Sequence, residues 1–122
     1  MRMFVIAALA AAVLPGGVAR AADAEAGARV FRTQCGACHV VEAGKNRVGP
    51  SLHGIVGRVS GTVEGFRYSA ANKDAHITWT PEVLDKYLAA PKGMIPGTTM
   101  AYVGLKNATQ RADLVAYLET LK

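Results

Sequence analysis

The pentapeptide CGACH, residues 35–39, places two thiols and an imidazole within one turn of chain. Cys35, Cys38 and His39 stand at i, i+3 and i+4, so a helical turn presents all three on one face. Such a pair of cysteines serves as a redox bond, as part of a metal site, or as a covalent tether for a cofactor. A structural disulfide would close only a tiny loop and constrain little of the unfolded chain. A reactive dithiol of this spacing normally opens a helix after a strand, and no such strand signal precedes Cys35. Zinc needs four ligands. Beyond Cys35, Cys38 and His39 there are only His53 and His76, neither with a partner at ligand spacing, so both read as surface or core histidines.

Covalent attachment of a c-type haem explains every position of C-x-x-C-H. The two thiols add across two vinyl groups as thioethers, and the adjacent His39 is held under the iron as its proximal ligand. The chain contains no other cysteine.

The first residues agree with this chemistry, which accompanies export. Arg2 precedes an apolar run from Met3 to Leu14, Pro15-Gly16-Gly17 breaks it, and Ala19-Arg20-Ala21 supplies a small-x-small end. Residues 1–21 are therefore expected to be a cleavable secretory signal peptide, with one domain over 22–122 and a periplasmic location. A membrane span needs roughly 20 apolar residues, so no anchor is expected after cleavage. Of the 122 residues, 14 are Lys or Arg and 9 Asp or Glu, a formal charge of +5; without Arg2 and Arg20 it falls to +3. The basic residues are scattered and not interleaved with aromatics, which argues against nucleic-acid binding.

After the leader, Asp23 caps a helix expected through AEAGARVFRTQCGAC, with Val30 and Phe31 on its apolar side. Val40 to Ser69 is rich in glycine and lacks helical periodicity, so it reads as loops that some non-protein core must order. Ser69 caps a short helix, AANKD. Thr80-Pro81-Glu82 starts another, with Leu84, Tyr87 and Leu88 on its buried face and Pro91 ending it. PKGMIPGTTMAYVG is punctuated by proline and glycine and is expected to be irregular. Asn107 caps a final helix carrying Leu114, Tyr117, Leu118 and Leu121 at i, i+3, i+4 and i+7. The expectation is an all-α domain of three main helices, with short helices and long loops wrapped around the cofactor.

A haem bound through His39 alone would leave its iron open to oxygen, peroxide or a signalling gas, whereas a second ligand suits electron transfer. Met100, in IPGTTMAYVG, lies outside any amphipathic stripe; Met94 is nearby, and spacing favours Met100 only slightly.

From Ala24 to Leu121 the sequence resembles the class I c-type cytochromes, in the branch of mitochondrial cytochrome c and its periplasmic bacterial relatives. The resemblance runs in order through GARVFRTQCGACHVVEAG, VGPSLHGIVGR, GFRYSAANK, ITW, YLAAPK, IPGTTMAYVGL and DLVAYL. It implies thioether bonds at Cys35 and Cys38 to one haem c, and iron ligation by His39 and Met100. It implies that the Pro50 carbonyl accepts the imidazole N–H, a contact that orients the ligand. Arg58, Tyr68, Asn72, Trp79 and Thr98 match residues that hydrogen-bond the inner part of the cofactor or its propionates, and Tyr87 matches the tyrosine beside the axial methionine. Gly27 and Phe31 match positions where the first helix packs on the last, near Leu114 and Tyr117. The implied function is that of a soluble, monomeric one-electron carrier, not an enzyme, between membrane-bound or soluble redox proteins. The rivals are a haem enzyme or gas sensor with an open iron, and a dithiol module without haem.

One group of positions departs from the mitochondrial pattern, in which lysines ring the haem edge. Gln34, Gly93, Thr99 and Asn107 are uncharged where lysine is common, while Lys92, Lys106, Arg29, Arg32 and Arg47 remain. Tyr102 stands where phenylalanine is more frequent.

Overall fold

The computed structural model describes Ala12 and residues 20–122. The proposed leader, residues 1–21, thus lies outside the described residues except for Ala12, Arg20 and Ala21. Five helices follow: α1 (Ala24–Gln34), α2 (Ala70–Asp74), α3 (Pro81–Ala89), α4 (Pro91–Met94) and α5 (Ala108–Glu119). Among the described residues the only β pairing is an isolated bridge between Val59 and Thr78.

Four of the five helices, all but α4, start at a capping side chain. The Asp23 carboxylate accepts the amides of Glu25 and Ala26, Ser69 Oγ that of Asn72, Thr80 Oγ1 that of Val83, and Asn107 Oδ1 that of Gln110. These bonds satisfy amides that have no partner inside their own helix.

α1 and α5 cross at a contact that only glycine allows. A Cβ on Gly27 would overlap the Asp113 carbonyl and come within 2.8 Å of Tyr117 Cβ. One turn on, the rings of Phe31 and Tyr117 meet at 5.7 Å. Asp113 is itself 4 % exposed. Its carboxylate accepts the Asp23 amide at 2.9 Å, and Arg20, within the proposed leader, adds a contact at 3.3 Å. α3 is tied to α5 by Arg111, whose Nε donates to Asp85 at 3.0 Å. Leu84, Tyr87 and Leu88 are buried, as are Leu114 and Leu118; Tyr117 and Leu121 are half-buried, and Val115 joins the core unannounced by the i, i+3, i+4 pattern.

Two expectations need correction. α1 ends at Gln34, so CGACH is a turn and not the last part of the helix. The turn keeps helical spacing, since the amides of Cys38 and His39 both donate to the Cys35 carbonyl. Residues 91–94 are also not irregular. Ala90 breaks α3 with φ −158° and ψ 79°, and Pro91 then restarts one helical turn at the first position, where its missing N–H costs nothing.

Val40–Ser69 forms no helix. Its chain is held by side chains and long-range bonds: Ser51 Oγ donates to the Glu42 carbonyl at 2.6 Å, and the Gly57 amide to the Trp79 carbonyl at 2.8 Å. This segment, α3, α5 and the Met100 loop surround a large cavity.

Candidate functional site

The cavity has a volume of about 430 Å³. All eleven residues expected at the site line it: Cys35, Cys38, His39, Pro50, Arg58, Tyr68, Asn72, Trp79, Tyr87, Thr98 and Met100. Met94 does not. It packs half-buried against the core, which separates the two methionines that spacing left nearly equal. His53 and His76 are likewise outside the cavity wall; His76 occupies the turn after α2 with φ +49°.

His39 is fixed from two sides. Its Nδ1 lies 2.7 Å from the Pro50 carbonyl. A carbonyl only accepts, so Nδ1 carries the proton and Nε2 has a free lone pair. Burial holds the imidazole pKa below its ordinary value, and the Pro50 bond only partly opposes this, which favours the neutral, ligating form. The other side is Gly49. A Cβ there would run into the imidazole ring, so glycine is what lets the backbone lie flat against it. In the sequence the Gly49-Pro50 pair signals a turn, but not the contact with the imidazole.

Met100 is set from its own loop and from α3. Its amide donates to Thr98 Oγ1 at 3.2 Å, and its Sδ accepts the Tyr87 hydroxyl at 3.2 Å. The Tyr87 ring lies 4.6 Å from that of Trp79, and burial pushes its phenol up to about 12. Tyr68 accepts the Val63 amide at 3.0 Å and meets the Phe66 ring edge-on. Leu52, Ile55, Phe66 and Leu88 complete the wall with apolar surface that residue types alone did not assign.

The two cysteines differ in their surroundings, Cys35 half-buried and Cys38 exposed. Burial, assisted by the neighbouring Cys38, pushes the Cys35 thiol up to about 11. A reactive dithiol needs the opposite shift, a stabilised thiolate. Among the described residues no three His, Cys, Asp or Glu side chains come together as a direct metal-ion site.

Haem fits these walls. Two thiols stand on one turn beside an imidazole, a thioether lines the same space, and the lining is largely apolar. The volume is in the usual range for a cofactor pocket, roughly 300–1,000 Å³. Two buried polar atoms, Arg58 Nε and Asn72 Oδ1, have no partner among the described residues. Orphans of this kind call for polar atoms from a ligand. A carboxylate would satisfy Arg58 directly, and Asn72 by turning its amide nitrogen.

The cytochrome c family profile matches residues 24–122. This chain belongs to the cytochrome c family. Cytochrome c of Trypanosoma brucei brucei is 63 % identical over 81 residues, which cover 66 % of this chain and 87 % of that one. Cytochrome c 2.1 of Caenorhabditis elegans is 52 % identical over 99 residues, 81 % of this chain and 89 % of its own. Cytochrome c2 of the bacterium Rhodopila globiformis is 49 % identical over 106 residues, 87 % of this chain and the whole of its own. The protein is accordingly a one-electron carrier with a cytochrome c fold and a single covalently bound haem c with its iron.

Proposed function

We propose that the haem is bound through Cys35 and Cys38, with His39 and Met100 as the two axial ligands. What carries this reading is that the His39 imidazole and the Met100 thioether line one apolar cavity, each already oriented by a hydrogen bond. Bound there, haem supplies an iron centre that gains and loses one electron. Pro50 and Gly49 hold the imidazole plane, Thr98 and Tyr87 hold the sulfur, and Leu52, Ile55, Phe66 and Leu88 keep water out. Arg58 and Asn72, with Tyr68, would take the propionates. Two neutral ligands with a soft sulfur favour the reduced state relative to anionic ones.

The same reading makes the chain a carrier without an activity of its own, since two protein ligands leave no place for substrate on the iron. Export by residues 1–21 to the periplasm is supported by the character of that segment and by the bacterial relative Cytochrome c2. Among the described residues no helix is long and apolar enough to cross a membrane. The donor and acceptor are redox proteins, membrane-bound or soluble, met by a monomer at the exposed haem edge.

An absorption spectrum of the purified holoprotein tests the ligand assignment. A low-spin spectrum with a weak methionine–iron band in the ferric state is expected. A five-coordinate, high-spin spectrum would instead make the protein an open-iron enzyme or sensor, and absence of haem bands a dithiol module.

A further inference from the structure

The loop that follows Met100 is held over the cavity by few hydrogen bonds. Among the described residues, the amides of Ala101, Tyr102, Val103 and Gly104 donate no hydrogen bond. The stretch is pinned at its ends, by the Met100 amide on Thr98 Oγ1 and by the Leu105 amide on the Leu88 carbonyl at 2.8 Å. Between those pins the shortest polar contact is the Tyr102 hydroxyl donating to Gln34 Oε1 at 2.8 Å. Lys106 reaches the Val103 carbonyl only at 3.5 Å.

The position of this bond gives it a role. Gln34 is the last residue of α1 and directly precedes Cys35; Tyr102 lies two residues beyond Met100. The bond therefore joins two edges of the cavity mouth that are 68 residues apart in sequence, both of them in the cavity wall. The Tyr102 ring is half-buried and packs against the core, so the ring and the hydroxyl make separable contributions.

Resting on the assignment of Met100 as iron ligand, we propose that the Tyr102–Gln34 hydrogen bond is a latch that keeps the 100–104 stretch closed. Small ligands reach the iron only when this stretch swings out with Met100. Tyr102 and Gln34 are thus positioning residues, acting through Met100 and not on the haem.

Imidazole binding to the ferric holoprotein reads the latch. At saturating imidazole the observed rate becomes the rate at which Met100 leaves the iron. Tyr102→Phe keeps the ring and loses the donor, and is expected to raise this rate about two- to tenfold, the range one net hydrogen bond supports. Gln34→Ala should do the same, the double variant should be no faster than either single, and Gln34→Glu, which keeps an acceptor, should be as slow as the natural protein. Hydrogen exchange at the Met100 amide should accelerate by the same factor, with thermal stability lowered by no more than that one bond and midpoint potential unchanged. Unchanged rates in both single variants, or effects that multiply in the double variant, would overturn the latch while leaving the ligand assignment standing. A natural protein lacking the methionine–iron band would overturn the ligand assignment, and the latch with it.

Discussion

The hydroxyl of Tyr87 donates to the sulfur of Met100 across 3.2 Å, the one polar contact of that sulfur among the described residues. A donated hydrogen bond draws electron density from the sulfur lone pairs, and so disfavours the oxidised iron more than the reduced one. Tyr87→Phe keeps the ring against Trp79 but removes the donor. The midpoint potential should fall by about 20–40 mV, the equivalent of a modest hydrogen bond to a weak acceptor. Potentiometric titration checks it, and an unchanged or raised potential would contradict the role given to this contact.

The same hydroxyl sets a pH dependence. Burial raises the Tyr87 pKa from 10 to about 12. The folded state therefore favours the neutral phenol, and the stability this contributes is fully present below pH 10 and is lost as pH rises through about 12. Across that window the loss is at most about 2–3 kcal/mol. Urea unfolding at pH 9 and pH 11 should show a smaller decline for Tyr87→Phe than for the natural protein.

The two methionines of the 91–100 segment should behave differently. Met100→Ala should leave haem covalently attached, lower the potential, abolish the methionine–iron band and admit imidazole freely. Met94→Ala, at a half-buried site outside the cavity, should keep the band and cost about 1–2 kcal/mol of stability, less than a fully buried methionine. Reversal of these phenotypes would mean that the ligand assignment is wrong.

Much of the fold was legible because local chemistry and global packing agree. Asp23, Ser69, Thr80 and Asn107 each cap the helix their residue type predicts. The end of α1 was misjudged because Cys35–His39 keeps helical spacing while leaving the helix, which composition cannot reveal. The turn at Pro91–Met94 was missed because proline reads equally as a stop and as a start. At the site, CGACH announced the chemistry, but choosing Met100 needed the family resemblance, since no period marks a residue in a loop. Ile55 and the contact of Gly49 with the His39 ring were illegible for another reason: they matter through shape, and shape is decided by the folded chain.

The long loops yield a prediction about maturation. Replacing both Cys35 and Cys38 by Ala should abolish covalent haem. The cavity of about 430 Å³ then has nothing to fill it. At about 24 cal/mol per Å³ of cavity, the cost is at most about 10 kcal/mol, and water entering the open mouth reduces it. That is still comparable with the whole stability of a small domain, roughly 5–15 kcal/mol. The variant should be largely unfolded by circular dichroism, with 40–69 the first segment cut by protease. A helical, protease-resistant variant would refute the view that haem orders these loops.

Docking to redox partners should depend more on apolar contact than on charge. Of the three large hydrophobic residues exposed among the described residues, Val48 and Val59 line the cavity and Val103 follows Met100 by three positions. Among the residues lining the cavity the only charged side chain is Arg58, whose Nε is one of the two buried unpartnered atoms. Lys106, a candidate for the docking face, is drawn back onto the carbonyl of Ala89. Salt screens charge steering over a Debye length of about 10 Å at 0.1 M, and strongly steered association slows by about tenfold or more as salt rises. Here the rate of electron transfer to the natural acceptor should fall only about two- to threefold across the same series. Stopped-flow measurements on the natural protein and on Val103→Asp separate the two contributions. A modest salt effect together with a marked slowing in Val103→Asp is expected. A steep salt dependence with Val103→Asp as fast as the natural protein would mean that the remaining lysines and arginines dominate the encounter.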